Sequence, residues 1–442
     1  MIEAQSPTDI STRLAKVAEL SREHRDRVWT SLAHHIDVNL LRAAFLRLRK
    51  NAASGVDGQS TAEFAADLEA NLDRLHNQLK SGLYRAPPVR RVYIPKDGGK
   101  RRPIGIPTVA DKVLQGAVAM VLGAIYEQDF LDCSYGFRPR RSAHQALERL
   151  RGELMAVKGG YVIELDIESF FDTLLHAALR SFLDKRVRDG VIRRAIGKWL
   201  KAGVLENGVH RHGEEGTPQG GLISPLLANI YLHEVLDVWF ETVVKPRMYG
   251  RAAMVRYADD AVLVFQREDD ARRVLAVLPK RFAKFGLKLH PEKTRLVPFQ
   301  RPPRSGPLGK GPGSFDFLGF THYWARSRKG NNVIGQKTAK KRLQRALSRI
   351  TAWCRRHRHL PIREQRKELN QKLRGHYGYY GVTNNYRALS QFAREVARIW
   401  RKWLGRRSWH SGMPWPRFTL LLESYPLERP RITHQYSHAA SL

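Results

Sequence analysis

The chain has 442 residues, 42% of them hydrophobic, and a net charge of +35. That is ample for two or three packed units, and the charge attracts polyanions, nucleic acid ahead of an anionic membrane surface. Only two cysteines occur, Cys133 and Cys354, which excludes a disulfide framework and a Cys₄ zinc site.

Residues 1–80 read as mostly helical, with Leu40, Leu41, Ala44, Phe45 and Leu48 at helical spacing. The start carries no signal-peptide pattern. Ser54–Gly58 reads as a loop. Val89–Lys96 and Lys100–Pro107 flank an Asp-Gly turn and predict a basic hairpin, whose cations suit a triphosphate. The apolar stretch Val113–Tyr126 is broken by Gln115 and too short to span a bilayer, so a buried helix of a cytoplasmic protein is expected. Ser142 with Gln145 forms a capping box ahead of the next helix. Tyr161–Ile167 alternates as a buried strand, helices fill 174–202, and the Gly-rich loop Gly216–Pro225 leads into a helix over Leu226–Phe240. Met254–Tyr257 and Ala261–Phe265 predict two strands around a turn at Asp259 and Asp260. Gly286–Thr294 ends a helix and begins a short strand, Gln300–Gly313 is a loop, and Phe315–Phe320 is one short strand.

Beyond about residue 330 the chain turns strongly basic. From Thr321 to Leu442 there are 27 Lys and Arg against five Asp and Glu, so this segment carries 22 of the net +35. Leu343, Leu347, Ile350 and Trp353 form one apolar stripe, with Arg342, Arg345, Arg349, Arg355 and Arg356 largely elsewhere. Trp400, Trp403, Trp409 and Trp415 alternate with Arg401, Lys402, Arg406 and Arg407, a mixture that suits structured RNA. Cys354, His357 and His359 lack a fourth ligand for zinc.

Tyr257-Ala258-Asp259-Asp260 carries the chemistry. Adjacent carboxylates are costly without a cation. With Asp166 near the end of a second apolar strand, they can clamp two Mg²⁺ ions for in-line displacement at a phosphate.

In order, Ile94–Pro107, Ser134–Pro139, Asp166–Asp172, Gly216–Pro225, Tyr257–Asp260, Gly286–Thr294 and Phe317–Phe320 resemble the successive blocks of a reverse transcriptase. Their wording, with Arg-Pro-Ile-Gly-Ile-Pro, Tyr-Gly-Phe-Arg-Pro, Phe-Phe-Asp, Thr-Pro-Gln-Gly and Phe-Leu-Gly-Phe, is similar to bacterial group II intron-encoded enzymes. The resemblance covers about residues 40–325. Residues 337–430, with Gly375-His376-Tyr377 and Trp415-Pro416-Arg417-Phe418, resemble that family's thumb and maturase region.

The resemblance implies an α+β right-hand polymerase. Its parts would be an N-terminal extension and fingers over 1–155, a palm over 156–325 (an antiparallel sheet with helices on one face), and a helical thumb and maturase region over 326–442. It implies two Mg²⁺ ions at Asp166, Ile167, Asp259 and Asp260. Lys96 and Arg102 would meet the triphosphate, Gln219 the incoming nucleotide, and Phe171 would block a ribose 2′-hydroxyl. Partners would be a structured intron RNA, an RNA template with a DNA primer, dNTPs and a DNA target, with no membrane. The setting would be the bacterial cytoplasm, next to the nucleoid when DNA is bound. Two cysteines cannot build the zinc endonuclease that many relatives carry, so a form without it is expected. The alternatives are a splicing-only maturase, or a related enzyme recruited to defence or to CRISPR spacer acquisition.

Overall fold

The structure, a computed structural model, describes residues 7–95, 101–206, 209–211, 220–303, 313–327, 329–407 and 412–436. Helices α1 (Pro7–Glu23), α2 (Val38–Leu46), α3 (Thr61–Ala66) and α4 (Leu68–Lys80) come first. A hairpin of β1 (Val89–Pro95) and β2 (Arg101–Ile106) follows, then α5 (Val109–Asp129) and α6 (Ala143–Ala156). The middle of the chain holds β3 (Tyr161–Leu165), β4 (Ile167–Glu168), α7 (Phe170–Thr173), α8 (His176–Asp184) and α9 (Gly190–Lys201). After them come β5 (Val204–Glu206), β6 (Val209–Arg211), α10 (Ser224–Leu232), β7 (Ala252–Tyr257), β8 (Asp260–Phe265) and α11 (Glu268–Ala283). Strands β9 (Lys288–Leu289), β10 (Arg295–Pro298), β11 (Phe315–Phe317), β12 (Phe320–Arg326) and β13 (Asn332–Thr338) lead into α12 (Lys340–Arg356), α13 (Ile362–Tyr380), α14 (Tyr386–Leu404) and α15 (Trp415–Ser424).

The central sheet has the order β10-β3-β8-β7, antiparallel throughout. Strand alternation sends its side chains to two cores. Ile163, Leu165, Leu263, Phe265 and Met254 join the helices on one face, including α5, α8 and α10. Val162, Val255, Val262, Val264 and Val297 face α6 and the sheet β11-β12-β13. Helices on one face were expected; the second face is also covered, by one helix and a second sheet. This is the mixed helix-and-sheet architecture of a polymerase palm. The expected limit at 325 falls inside β12, which pairs with β13 from Phe320↔Thr338 to Arg326↔Asn332.

Helix α5 is long and apolar enough to cross a bilayer by length and composition. In the fold it is a core helix, with Val113, Leu114, Ala117, Val118, Val121 and Leu122 fully buried. The capping box at Ser142 and Gln145 forms as expected. Three expectations are corrected. Tyr161–Ile167 is not one strand: it breaks at Asp166 into β3 of the central sheet and β4, which pairs with β9. The helix after Leu226 does not run regularly to Phe240: from His233 it widens into π-helical turns over His233–Asp237 and Phe240–Val244. Phe315–Phe320 is two strands, because Leu318 and Gly319 both take positive φ (49° and 82°) and make the tight turn of a hairpin. A third core, built on Trp400, Tyr377, Phe392 and Phe418, holds α12–α15 together.

Candidate active site

Strands β7 and β8 form the expected hairpin, with Tyr257 opposite Asp260 and Ala258-Asp259 at the turn. β3 runs antiparallel to β8, and Leu165 pairs with Ala261. The next residue on each side is Asp166 and Asp260. The register alone therefore brings the carboxylate of one strand beside the hairpin that carries the other two.

The environment of Asp260 records that convergence. Crowding by protein, then repulsion from Asp259 and Asp166, outweigh the attraction of Arg342 and Lys293 and push its carboxyl up to about 6. Asp166 is fixed from the segment after β9. The Lys293 Nζ donates to both Asp166 carboxylate oxygens at 3.1 and 3.2 Å. The His290 N–H and the Thr294 hydroxyl donate to the Asp166 carbonyl at 2.9 and 3.3 Å. Among the described residues, no group of three or more His, Cys, Asp or Glu side chains stands close enough to hold a metal ion. That covers both the aspartates and the candidates around Cys354, which is a buried free thiol. Without a cation the three aspartates repel one another, and the Lys293 ammonium occupies the carboxylate side of Asp166. A divalent cation at Asp166 would take the place that this ammonium now holds. Ile167 has a hydrocarbon side chain, so its carbonyl is the one oxygen it could offer.

The support behind the hairpin was not foreseen. Arg256 is fully buried and ion-paired with Asp237, which is also fully buried. Its Nε donates to Asp237 Oδ1 at 2.7 Å, and its Nη2 to the Ser134 hydroxyl at 2.7 Å. Its Nη1 donates to Asn229 Oδ1 at 3.0 Å and to the Ala258 carbonyl at 2.9 Å. Ala258 has φ of 58°, a left-handed conformation that costs an L-residue about 1–2 kcal/mol. Arg256 thus grips the carbonyl of the one strained residue beside Asp259. The π-helical turn at His233–Asp237 is where the chain supplies Asp237. The segment before Gly136 lies along β7, with main-chain bonds between Arg256 and both Cys133 and Tyr135. A Cβ on Gly136 would stand 2.3 Å from the Ala258 nitrogen, so only glycine lets this segment back the turn. The signal available in the sequence was an arginine inside an otherwise apolar strand.

Phe171 is half-buried on α7, edge-on to the buried Phe170, and follows Ser169 in a left-handed conformation. Arg102 lies on exposed β2. Asp172 senses it together with Arg91; burial raises the Asp172 carboxyl while these two cations oppose the shift. The β1–β2 hairpin thus lies near enough to α7 for its arginines to act on Asp172. Lys96 and Gln219, with the turn at 97–100 and the loop at 216–219, lie outside the described residues.

The basic residues of the last third divide. Arg342, Arg345 and Arg349 line a cavity of about 610 Å³ with Trp353, Lys372 and Tyr380, and Arg342 lies near enough to act on Asp260. Arg355 and Arg356 are exposed at the end of α12, and Lys402 and Arg406 lie over Trp403. Arg401 and Arg407 turn inward. Arg401 donates to the Met413 carbonyl at 2.8 Å and stacks on Trp415. Arg407 donates to the carbonyls of Arg358 and Leu360 at 2.6 Å each, closing the turn after α12. Trp400 is core, its Nε1 donating to Gln365.

Residues 94–322 match the family described as reverse transcriptase (RNA-dependent DNA polymerase). Protein YkfC of Escherichia coli is 39% identical over 255 residues, covering 51% of this chain and 67% of that protein. The group II intron-encoded protein LtrA of Lactococcus lactis is 38% identical over 224 residues, covering 50% of this chain. Nuclear intron maturase 2 of Arabidopsis thaliana is 29% identical over 176 residues, or 30% of this chain and 23% of that protein. The chain spans about two thirds of the first of these and 37% of LtrA. Together with the register that sets Asp166 against the Asp259–Asp260 hairpin, these matches establish that the chain belongs to the reverse transcriptase family, with similarity to a group II intron-encoded member.

Proposed function

We propose that the chain is an RNA-directed DNA polymerase that binds a group II intron RNA, assists its splicing and copies it during retrohoming. The convergence of Asp166, Asp259 and Asp260 at one sheet end carries this reading, because their mutual repulsion calls for divalent cations. Asp166, Asp259, Asp260 and the Ile167 carbonyl would hold two Mg²⁺ ions. Bound there, the ions supply charge neutralisation for an attacking hydroxyl and a leaving phosphate oxygen.

The chain's own residues do the positioning. Lys293 holds Asp166 in place until a cation arrives. Arg102, with Lys96, takes the triphosphate, and Gln219 borders the incoming nucleotide. Phe171 places a ring where a ribose 2′-hydroxyl would stand. Phe171→Ala is therefore expected to weaken discrimination against ribonucleotides by on the order of 10–100-fold. The ratio of dNTP to NTP incorporation measures it, and an unchanged ratio would remove Phe171 from this role.

The Asp260 carboxyl gives a pH signature. Its folded pKa of about 6 lies above the ordinary value of 3.8. Its favourable contribution to folding is therefore fully present below pH ~4 and is lost as pH rises through ~6. Above that, a bound divalent cation offsets the repulsion. Mg²⁺ is expected to raise Tm clearly at pH 8 and hardly at pH 5, and an equal rise at both would contradict the site.

The direct test uses a group II intron transcript taken from sequence flanking the gene. It is incubated at low Mg²⁺ with and without protein, and with primer and dNTPs. Protein-dependent splicing together with cDNA supports the proposal. cDNA without splicing points to a host-recruited enzyme, and splicing without cDNA to a maturase alone.

A further inference from the structure

A second basic surface lies outside the thumb. From His176 to Lys201 the chain has eight Lys and Arg and two Asp. Arg186 and Asp189 are structural: Arg186 is buried against Asp129 at 2.8 Å, and Asp189 caps α9. Most of the other charges border an open groove of about 860 Å³ between α8, α9 and residues 85–88. Its cations are Arg85, Arg180, Arg193, Arg194, Lys198 and Lys201. Among the described residues the one acid lining it, Asp184, is already paired with Arg193 at 2.8 Å. Lys198 is pinned by the carbonyls of Gly82 and Tyr84, at 3.0 and 2.5 Å. Arg85, Arg180, Arg194 and Lys201 are exposed and have no carboxylate partner among the described residues. A second hollow of about 590 Å³ shares Arg180 and Arg193 and extends the basic surface to Lys185 and Arg188.

Two features indicate what this groove takes. None of Asp166, Phe171, Asp259 or Asp260 lines it, so it is not part of the catalytic cleft. Among the described residues it also has no aromatic lining, whereas the cavity among α12, α13 and α14 carries Trp353, Tyr380 and Phe392. Proteins that hold single strands combine a basic groove with aromatic rings on which successive bases stack, while guanidinium and ammonium groups without rings serve chiefly to grip phosphates. Arg194 and Lys201, seven residues apart on α9, stand about 10 Å apart along its axis. That is a spread of positive charge suited to several phosphates of a helical strand.

We propose that the α8–α9 groove binds the phosphate backbone of a base-paired RNA stem outside the polymerase cleft, anchoring the folded RNA there. The choice of RNA over DNA rests on the intron-RNA reading above; recognition of backbone phosphates rests on the groove itself.

The test compares the full chain with its Arg180→Gln/Arg194→Gln/Lys201→Gln variant. The probes are an RNA duplex of about 20 base pairs and a DNA duplex of the same sequence. Affinities are measured across a salt series, with extension of a short primer–template as a parallel readout. RNA-duplex affinity is expected to fall at least about tenfold at low salt, and the slope of log affinity against log salt to drop by roughly 2–3. Extension and Tm should be unchanged. An unaltered salt slope would overturn the proposal, as would a DNA duplex bound equally well and lost equally. If the unsubstituted protein extends no primer while the RNA slope still depends on these residues, the polymerase reading fails and the groove stands.

Discussion

Asp259→Ala is expected to reduce DNA synthesis by at least about a thousandfold while leaving RNA affinity within error of the unsubstituted chain. A metal-held phosphoryl centre contributes several kcal/mol of transition-state charge stabilisation, and about 1.4 kcal/mol is a factor of ten in rate. Asp259 sits at the hairpin turn, and neither the cavity among α12, α13 and α14 nor the α8–α9 groove includes it. Removing one carboxylate also relieves the repulsion on Asp260, so the folded state should lose nothing. Single-nucleotide incorporation and filter binding of the same RNA measure the two effects. Loss of both together would show that the polymerase site and the RNA surface are one structure.

Arg256→Met is expected to act differently, by loosening the hairpin from behind. It strands the Asp237 carboxylate in a fully buried position and removes the donor to the Ala258 carbonyl. Breaking a buried pair from one side costs about 3–5 kcal/mol. The double variant Arg256→Met/Asp237→Leu removes both charges and should recover most of that stability. It leaves Ala258 in its left-handed turn without a tether, so synthesis should stay well below that of the unsubstituted chain. Denaturant unfolding and kcat, measured on the single and double variants, separate the two roles. If the double variant recovers kcat along with stability, Arg256 is only a folding residue.

Much of this site could be read from local pattern. The alternation of Met254–Tyr257 and Ala261–Phe265, with acids between, gave the hairpin its place. The Ser142–Gln145 box gave α6 its start, and the apolar run around Val118 gave a core helix. These features follow from short-range hydrogen-bond geometry and side-chain periodicity, which the order of residues encodes directly. Phe315–Phe320 misled because its aromatic alternation hid the turn at Leu318-Gly319. The helix after Leu226 misled because apolar periodicity does not distinguish an α turn from a π turn.

The residues by themselves determined the chemistry: an excess of cations for a polyanion, and three aspartates at apolar strand ends. Only the tertiary structure decided how that chemistry is held. Asp166 meets Lys293 across 127 positions of chain, and Arg256 reaches Ser134 across 122. The groove of α8 and α9 closes only when residues 85–88 pack beside them. Such pairings are set by which faces the two cores bury, a choice made by the whole chain when it excludes water and not by any stretch of it alone.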